Sequence, residues 1–168
     1  MKILLVSPAV DPDTRTNKEL MMPQLALYIL DGLTPPDHEV TVVEEEAEEI
    51  NFKVAYDIVG ISCMTANAPR AYELADQFRR RGITVIIGGV HPTILPQEAL
   101  PHADSVVIGE AEGVWVKILE DFQKGQLKET YHQPYPDLKK YDPKDFKKII
   151  KEKTFQPRPI NDNQGMPL

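Results

Sequence analysis

Five short stretches of the chain are apolar on nearly consecutive residues: Lys2 to Ser7, Val40 to Glu44, Asp57 to Ser62, Ile83 to Gly88 and Ser105 to Ile108. The central ones lack the alternation of a half-exposed strand, as expected when both faces of a parallel sheet are covered. Between them, Asn17 to Leu33, Pro69 to Arg81, Pro96 to about Leu100 and Ala111 to Lys124 carry leucine, alanine and tyrosine at helical spacing. Asn67 or Ala68 ahead of Pro69, with Gly82 just past Arg81, gives one helix a start and a stop. The unit is strand then helix, repeated about five times. Right-handed crossovers turn that into an α/β, doubly wound, five-stranded parallel sheet, and the flavodoxin-like order 2-1-3-4-5 is favoured over neighbouring Rossmann-like orders.

Beyond Gly125 the texture changes to Tyr131-His132-Gln133-Pro134-Tyr135-Pro136, a lysine-rich stretch from Lys139 to Lys153, then Pro157, Pro159 and Pro167. Prolines at this spacing exclude long regular elements except around Pro143 to Lys153. The expected organisation is one α/β domain over 1–124 and a linker or strap over 125–168. At 168 residues and 42% hydrophobic, the chain is long enough for one full core and short for two.

Charge and cysteine content narrow the partners. A net charge of −7, with the acidic run Glu44-Glu45-Glu46-Ala47-Glu48-Glu49, repels a phosphate backbone, so nucleic acid is not expected. The lone Cys63 excludes an internal disulfide, and by itself ligates neither a structural zinc nor an iron–sulfur cluster; it is expected as a buried small hydrophobe. The apolar start Met1 to Val6 is too short for a signal peptide's core and no stretch reaches membrane-spanning length, so the expected location is cytoplasmic.

Ligands of open parallel sheets bind at the carboxyl ends of the strands. Four loops therefore define the candidate site: Ser7 to Arg15, Ser62 to Asn67, Gly88 to Thr93 and Gly109 to Gly113. The first has no glycine, against the G-x-G-x-x-G of a dinucleotide site. Pro8 and Pro12 remove backbone donors that a flavodoxin-type phosphate loop needs. A response-regulator receiver needs acidic residues where this chain places Ser7 and Ser62. Gly88-Gly89 at a strand end either makes an ordinary turn or leaves bare backbone for a bulky ligand, which a larger residue at Gly89 would displace. Ser62 and Thr65 also serve as strand and cap residues elsewhere, and Glu110 and Glu112 also suit a helix amino terminus.

Three segments taken together carry more. Asp57-Ile-Val-Gly60-Ile-Ser62-Cys-Met64-Thr65, Gly88-Gly89-Val-His91-Pro92-Thr93 and Asp104-Ser-Val-Val-Ile108-Gly109-Glu110-Ala-Glu112 resemble the amino-terminal cobalamin-binding domain of cobalamin-dependent radical S-adenosylmethionine enzymes. The resemblance covers roughly residues 1 to 124. It implies a Rossmann-like cobalamin-binding domain in which Ser62, Met64 and Thr65 with Gly88 and Gly89 line a slot for the dimethylbenzimidazole nucleotide tail. It further implies contacts from Ser7 and Pro8, from His91, Pro92 and Thr93, and from Gly109, Glu110 and Gly113. His91 is expected as a hydrogen-bonded turn residue rather than a cobalt ligand, and His38, His102 and His132 as surface residues.

Relatives of the methionine-synthase and mutase types carry D-x-H-x-x-G after the first strand, and that histidine is the lower cobalt ligand. Here Asp11-Pro12-Asp13-Thr14-Arg15-Thr16 has neither histidine nor glycine. The resemblance thus implies cobalamin bound base-off with no histidine beneath the cobalt, and no catalytic or metal-ligating residue in this chain. It also implies a following radical S-adenosylmethionine barrel, with a four-iron four-sulfur cluster and S-adenosylmethionine, toward which the proline-rich end would lead. Relatives of that kind include methyltransferases acting on unactivated carbon or phosphorus and the anaerobic magnesium-protoporphyrin IX monomethyl ester oxidative cyclase, so the domain alone does not fix a reaction. A stand-alone corrinoid carrier and a small-molecule module that binds no corrinoid are the alternatives.

Overall fold

The computed structural model describes residues 1–14 and 24–133. Six strands, β1 (Lys2–Ser7), β2 (Glu39–Glu44), β3 (Ile58–Ser62), β4 (Thr84–Gly88), β5 (Ser105–Ile108) and β6 (Thr130–His132), form one parallel sheet. Their order is β2-β1-β3-β4-β5-β6. The first five follow the expected 2-1-3-4-5, but the expected count of five is corrected to six. The added strand lies within the stretch expected as a linker. It is held there by Tyr131, whose ring is buried and whose hydroxyl donates to Asp121 Oδ2 at 2.8 Å.

Five α-helices cover the sheet: α1 (Leu25–Leu33), α2 (Ala68–Arg79), α3 (Val90–Ile94), α4 (Pro96–Ala99) and α5 (Trp115–Gln123). Helix α2 begins at Ala68, one residue ahead of the expected Pro69, and ends at Arg79 rather than Arg81, after which Gly82, at φ 74°, turns the chain out. The helix expected over Ala111 to Lys124 is broken into a 3-10 turn at Ala111–Gly113 and α5 proper. Helix α3 was not expected; Gly89 turns the chain directly into it. The expected start of the first helix at Asn17 and the possible helix around Pro143 to Lys153 fall outside the described residues.

Strand residues alternate between two cores. Leu4, Val6, Val59, Ile61, Val85 and Ile87 pack against Ala71, Leu74 and Phe78 of α2. Ile3, Leu5, Ile58, Ile86 and Val107 pack against Leu27 and Leu30 of α1 and Trp115, Ile118 and Leu119 of α5. Each such fully buried side chain contributes roughly 1.5–3 kcal/mol. Cys63 is fully buried and burial pushes its thiol up to about 11, so at neutral pH it is the inert small hydrophobe expected. The chain runs outward in opposite directions from β1 and β3, which leaves a crevice at their carboxyl ends.

Candidate functional site

A slot opens at that carboxyl edge, between the sheet and the α1 and α5 face. Water-sized spheres can be centred in about 80 Å³ of it, and its mouth is open to solvent. Its floor is two rungs of the sheet. In the deeper one Leu5, Gly60 and Ile86 are in register; in the outer one Ser62 faces Gly88. A Cβ on Gly60 would stand 2.9 Å from Leu5 Cδ2 and 3.7 Å from Trp115 Cη2, so this glycine lets the slot's walls close over the sheet. A Cβ on Gly88 would meet only Val107 Cβ, at an ordinary 3.5 Å. The fold therefore tolerates a side chain at Gly88, and what its absence preserves is the slot.

Gly89 has a different task. Its φ is 107°, and a Cβ would lie 2.6 Å from the Cys63 carbonyl oxygen and 2.9 Å from its nitrogen. It lines the slot, yet it is glycine because the β4 turn passes against the β3 turn. A larger residue there would break that crossing before it filled any ligand space, which corrects the expectation drawn from the sequence. Thr93 ties the next pair of loops: its hydroxyl donates to the Gly89 carbonyl at 2.7 Å and accepts from the Gly109 amide at 3.0 Å.

Glu110 and Glu112, from the turn after β5, line the slot wall. Burial, reinforced by the neighbouring Glu110 charge, raises the Glu112 carboxyl above its ordinary value. Leu27 and Leu30 from α1 and Trp115 from α5 make the apolar roof. Trp115 is steadied by its indole N–H, which donates to Thr34 Oγ1 at 2.9 Å.

Of the residues expected at the site, Ser62, Gly88, Gly89, Gly109 and Glu110 line the slot. Ser7, Pro8, Met64, Thr65, His91, Pro92, Thr93 and Gly113 do not. Ser7 and Pro8 are buried in the β1 loop, which is strapped down on several sides. The Ser7 carbonyl accepts from Glu45 N at 2.9 Å, Pro8 O accepts from Asn67 Nδ2 at 2.9 Å, and Ala9 N donates to Glu45 Oε2 at 3.0 Å. Glu45 itself is buried against Arg70, with 2.6 Å between Oε1 and the guanidinium. Met64 is exposed on the β3 loop, while Pro92 is buried.

His91 is buried on the α2 side of the sheet and hydrogen-bonded as expected, but it lies in α3 and not in a turn. Its Nδ1 lies 3.3 Å from Thr65 Oγ1, and its Nε2 lies 3.0 Å from Tyr72 Oη and 3.4 Å from Glu98 Oε2. His102 lies 3.0 Å from Asp76. None of the four histidines lines the slot. Gly113, like Gly109, abuts Gln133, the residue that follows β6.

The sequence reading missed Gly60, Leu27, Leu30 and Trp115 as wall residues, while Glu112 was placed in a site loop but not singled out as a contact. Gly60 did carry a signal, since a glycine inside a buried strand marks a close approach. The others look like ordinary core or helix-start residues until the fold puts them around one space.

Comparison with known proteins gives the family of the chain. The chain is 44% identical over 129 residues to a bacteriochlorophyllide d C-8(2)-methyltransferase of Chlorobaculum tepidum, an alignment covering 76% of this chain and 29% of that protein. It is 35% identical over 133 residues to the bacteriochlorophyllide d C-12(1)-methyltransferase of the same organism, covering 77% of this chain and 29% of the relative. An uncharacterized methyltransferase of Pyrococcus horikoshii is 28% identical over 176 aligned positions, covering 97% of this chain and 36% of that protein. The chain thus spans about three tenths of the length of the first two relatives. No solved structure matches it significantly. Residues 26–119, which run from α1 into α5 and include every slot-lining residue except Leu5, match the B12 binding domain, and the chain belongs to that family.

Proposed function

We propose that the slot takes the nucleotide tail of cobalamin, base-off, and that this chain is the cofactor-holding part of a radical S-adenosylmethionine methyltransferase. The observation that carries the reading is Gly88. It faces Ser62 on the outer rung, the fold has room for a side chain there, and yet that room is kept as slot. The space and its chemistry suit a flat heterocycle. Gly60 and Gly88 give a smooth floor, Leu27, Leu30 and Trp115 exclude water from above, and the Ser62 hydroxyl offers a donor and acceptor at the edge.

The residues' work is binding and orientation. Glu110 and Glu112 at the wall accept hydrogen bonds, which suits the amide-fringed rim of a corrin and the hydroxyls of a ribose. Cobalamin, when bound, supplies a cobalt centre that accepts and hands on a methyl group. No histidine of this chain is at the slot to coordinate cobalt, because His91 is engaged by Thr65 and Tyr72 and His102 by Asp76. The names of the Chlorobaculum relatives support methyl transfer as the reaction class. The iron–sulfur cluster and S-adenosylmethionine of such an enzyme belong, in this reading, to a barrel outside the chain, with residues 134–168 as the connection.

Titration of the full chain with hydroxocobalamin tests this. The expected result is a base-off absorption spectrum and, after reduction to cobalt(II), no nitrogen hyperfine splitting from an axial base. Gly88→Val is expected to abolish binding while the protein melts within a few degrees of wild type, since valine suits a strand. A base-on spectrum at saturating protein, or unchanged affinity in Gly88→Val, would place the ligand elsewhere. Protein that stays colourless after gel filtration would favour a module that binds no corrinoid.

A further inference from the structure

Gly109 and Gly113 bracket the turn that carries Glu110 and Glu112 into the slot wall, and both face the same neighbour. A Cβ on Gly109, where φ is 92°, would run into the carbonyl oxygen of Gln133. A Cβ on Gly113 would run into the side-chain amide of Gln133. Meanwhile the Gln133 amide N–H donates to the Ile108 carbonyl at 3.0 Å, which continues the β5 to β6 ladder by one bond. Gln133 is therefore hydrogen-bonded at one point, before the turn, and packed closely at two more, against the turn's first residue and against its last helical one. The two glycines form a notch, and Gln133 fills it.

We propose that Gln133 is a positioning residue for the slot, setting the Gly109–Gly113 turn and with it the wall that the turn provides. The inference rests on the cofactor reading for what fills the slot, but the notch itself does not. A wall turn clamped by one side chain has few alternative placements, so whatever moves the turn also moves Gln133. By linkage, whatever displaces Gln133 changes affinity for the slot's ligand by the same factor. Gly113, expected from the sequence as a cofactor contact, here acts through Gln133.

The test is a double-mutant cycle in the full chain. Without ligand, Gln133→Ala and Gly113→Ala are each expected to speed amide hydrogen exchange across residues 110–113 by about threefold to tenfold, and the double variant no further. Hydroxocobalamin affinity is expected to follow the same pattern: each single substitution weakens binding about threefold to tenfold, and Gly113→Ala/Gln133→Ala equals either one. Additive losses would mean that Gly113 meets the ligand directly, and would overturn the proposal. So would unchanged exchange in Gln133→Ala. If the wild-type chain binds no cobalamin, the cofactor reading falls alone, and the exchange cycle still decides whether Gln133 holds the turn.

Discussion

Adjacent glycines at the end of β4 answer to different forces, and this separates their variants. Gly88 is replaceable without strain, whereas Gly89 adopts a conformation that L-residues avoid and sits against the Cys63 backbone. Gly89→Ala is expected to cost about 2–4 kcal/mol in urea unfolding. A loss below about 0.5 kcal/mol would show that the crossing of the two turns relaxes easily. Loss of cobalamin binding in a Gly89 variant therefore says little about the slot unless folding is measured beside it. Glu112 gives a prediction with a sign. Its carboxyl titrates higher in the folded chain than in the unfolded one, because of burial and then Glu110. The stability tied to that proton is complete below the ordinary carboxylate pKa of about 4.3 and is lost as pH rises through the raised value. In the absence of ligand, Glu112→Gln should be more stable than wild type at pH 7, with the gap closing as pH falls below about 4.3. A gap of equal size at both ends, in thermal melts, would contradict this.

At the scale of elements, β6 is where local sequence and tertiary contact part company. Thr130–His132 is three residues long and surrounded by polar positions, too little for any periodicity. Its place is set from outside, by Asp121 on the buried face of α5. The Tyr131 hydroxyl first, and Lys117 after it, hold the Asp121 carboxyl below its ordinary range. This contribution is present above the unfolded value of about 3.9 and is lost as pH falls through the lower, folded one. Tyr131→Phe should melt below wild type at neutral pH, and the difference should shrink in acid below about 3.9. No difference at neutral pH would mean that ring packing alone anchors the strand, and a difference that persists in acid would mean that the hydroxyl acts independently of the Asp121 charge. The other five strands were legible because burial on both faces writes itself as unbroken apolar runs such as Val85-Ile86-Ile87. Helix α2 was legible from Pro69 and Gly82. The break before α5 was not, since Gly113 reads as an ordinary helix-start residue until Gln133 is seen against it. The site divides the same way: strand-end residues such as Ser62 and Gly88 follow from topology, while Leu27, Leu30 and Trp115 belong to it only because α1 and α5 share a face of the sheet.

Across the whole molecule, the two edges of the sheet differ in character. The carboxyl edge carries exposed Val10 and Met64 on the loops after β1 and β3, and Val90 and Ile94 on α3. At the amino edge of β4, Arg79 pairs with Asp104 at 3.2 Å, and Asp104 accepts from the Val85 amide at 2.8 Å. One end of the fold is thus closed by its own polar contacts, and the other exposes four large apolar side chains. Among the described residues no helix is long and apolar enough to cross a membrane.

The chain's single tryptophan is Trp115, and it forms part of the slot's roof with its ring 1% exposed and its N–H tied to Thr34. An indole so enclosed emits at short wavelength, and its emission is isolated from that of any other tryptophan. A corrin absorbs across that emission band, so a tail seated beneath the ring brings a strong energy acceptor close to a lone donor. Intrinsic fluorescence should fall in proportion to the filled fraction of wild-type protein and stay bright in Gly88→Val at equal cobalamin, after correction for absorbed light. Equal dimming in both proteins would show that the quencher is not in the slot. The same residue that roofs the cavity therefore makes the molecule its own optical gauge of occupancy.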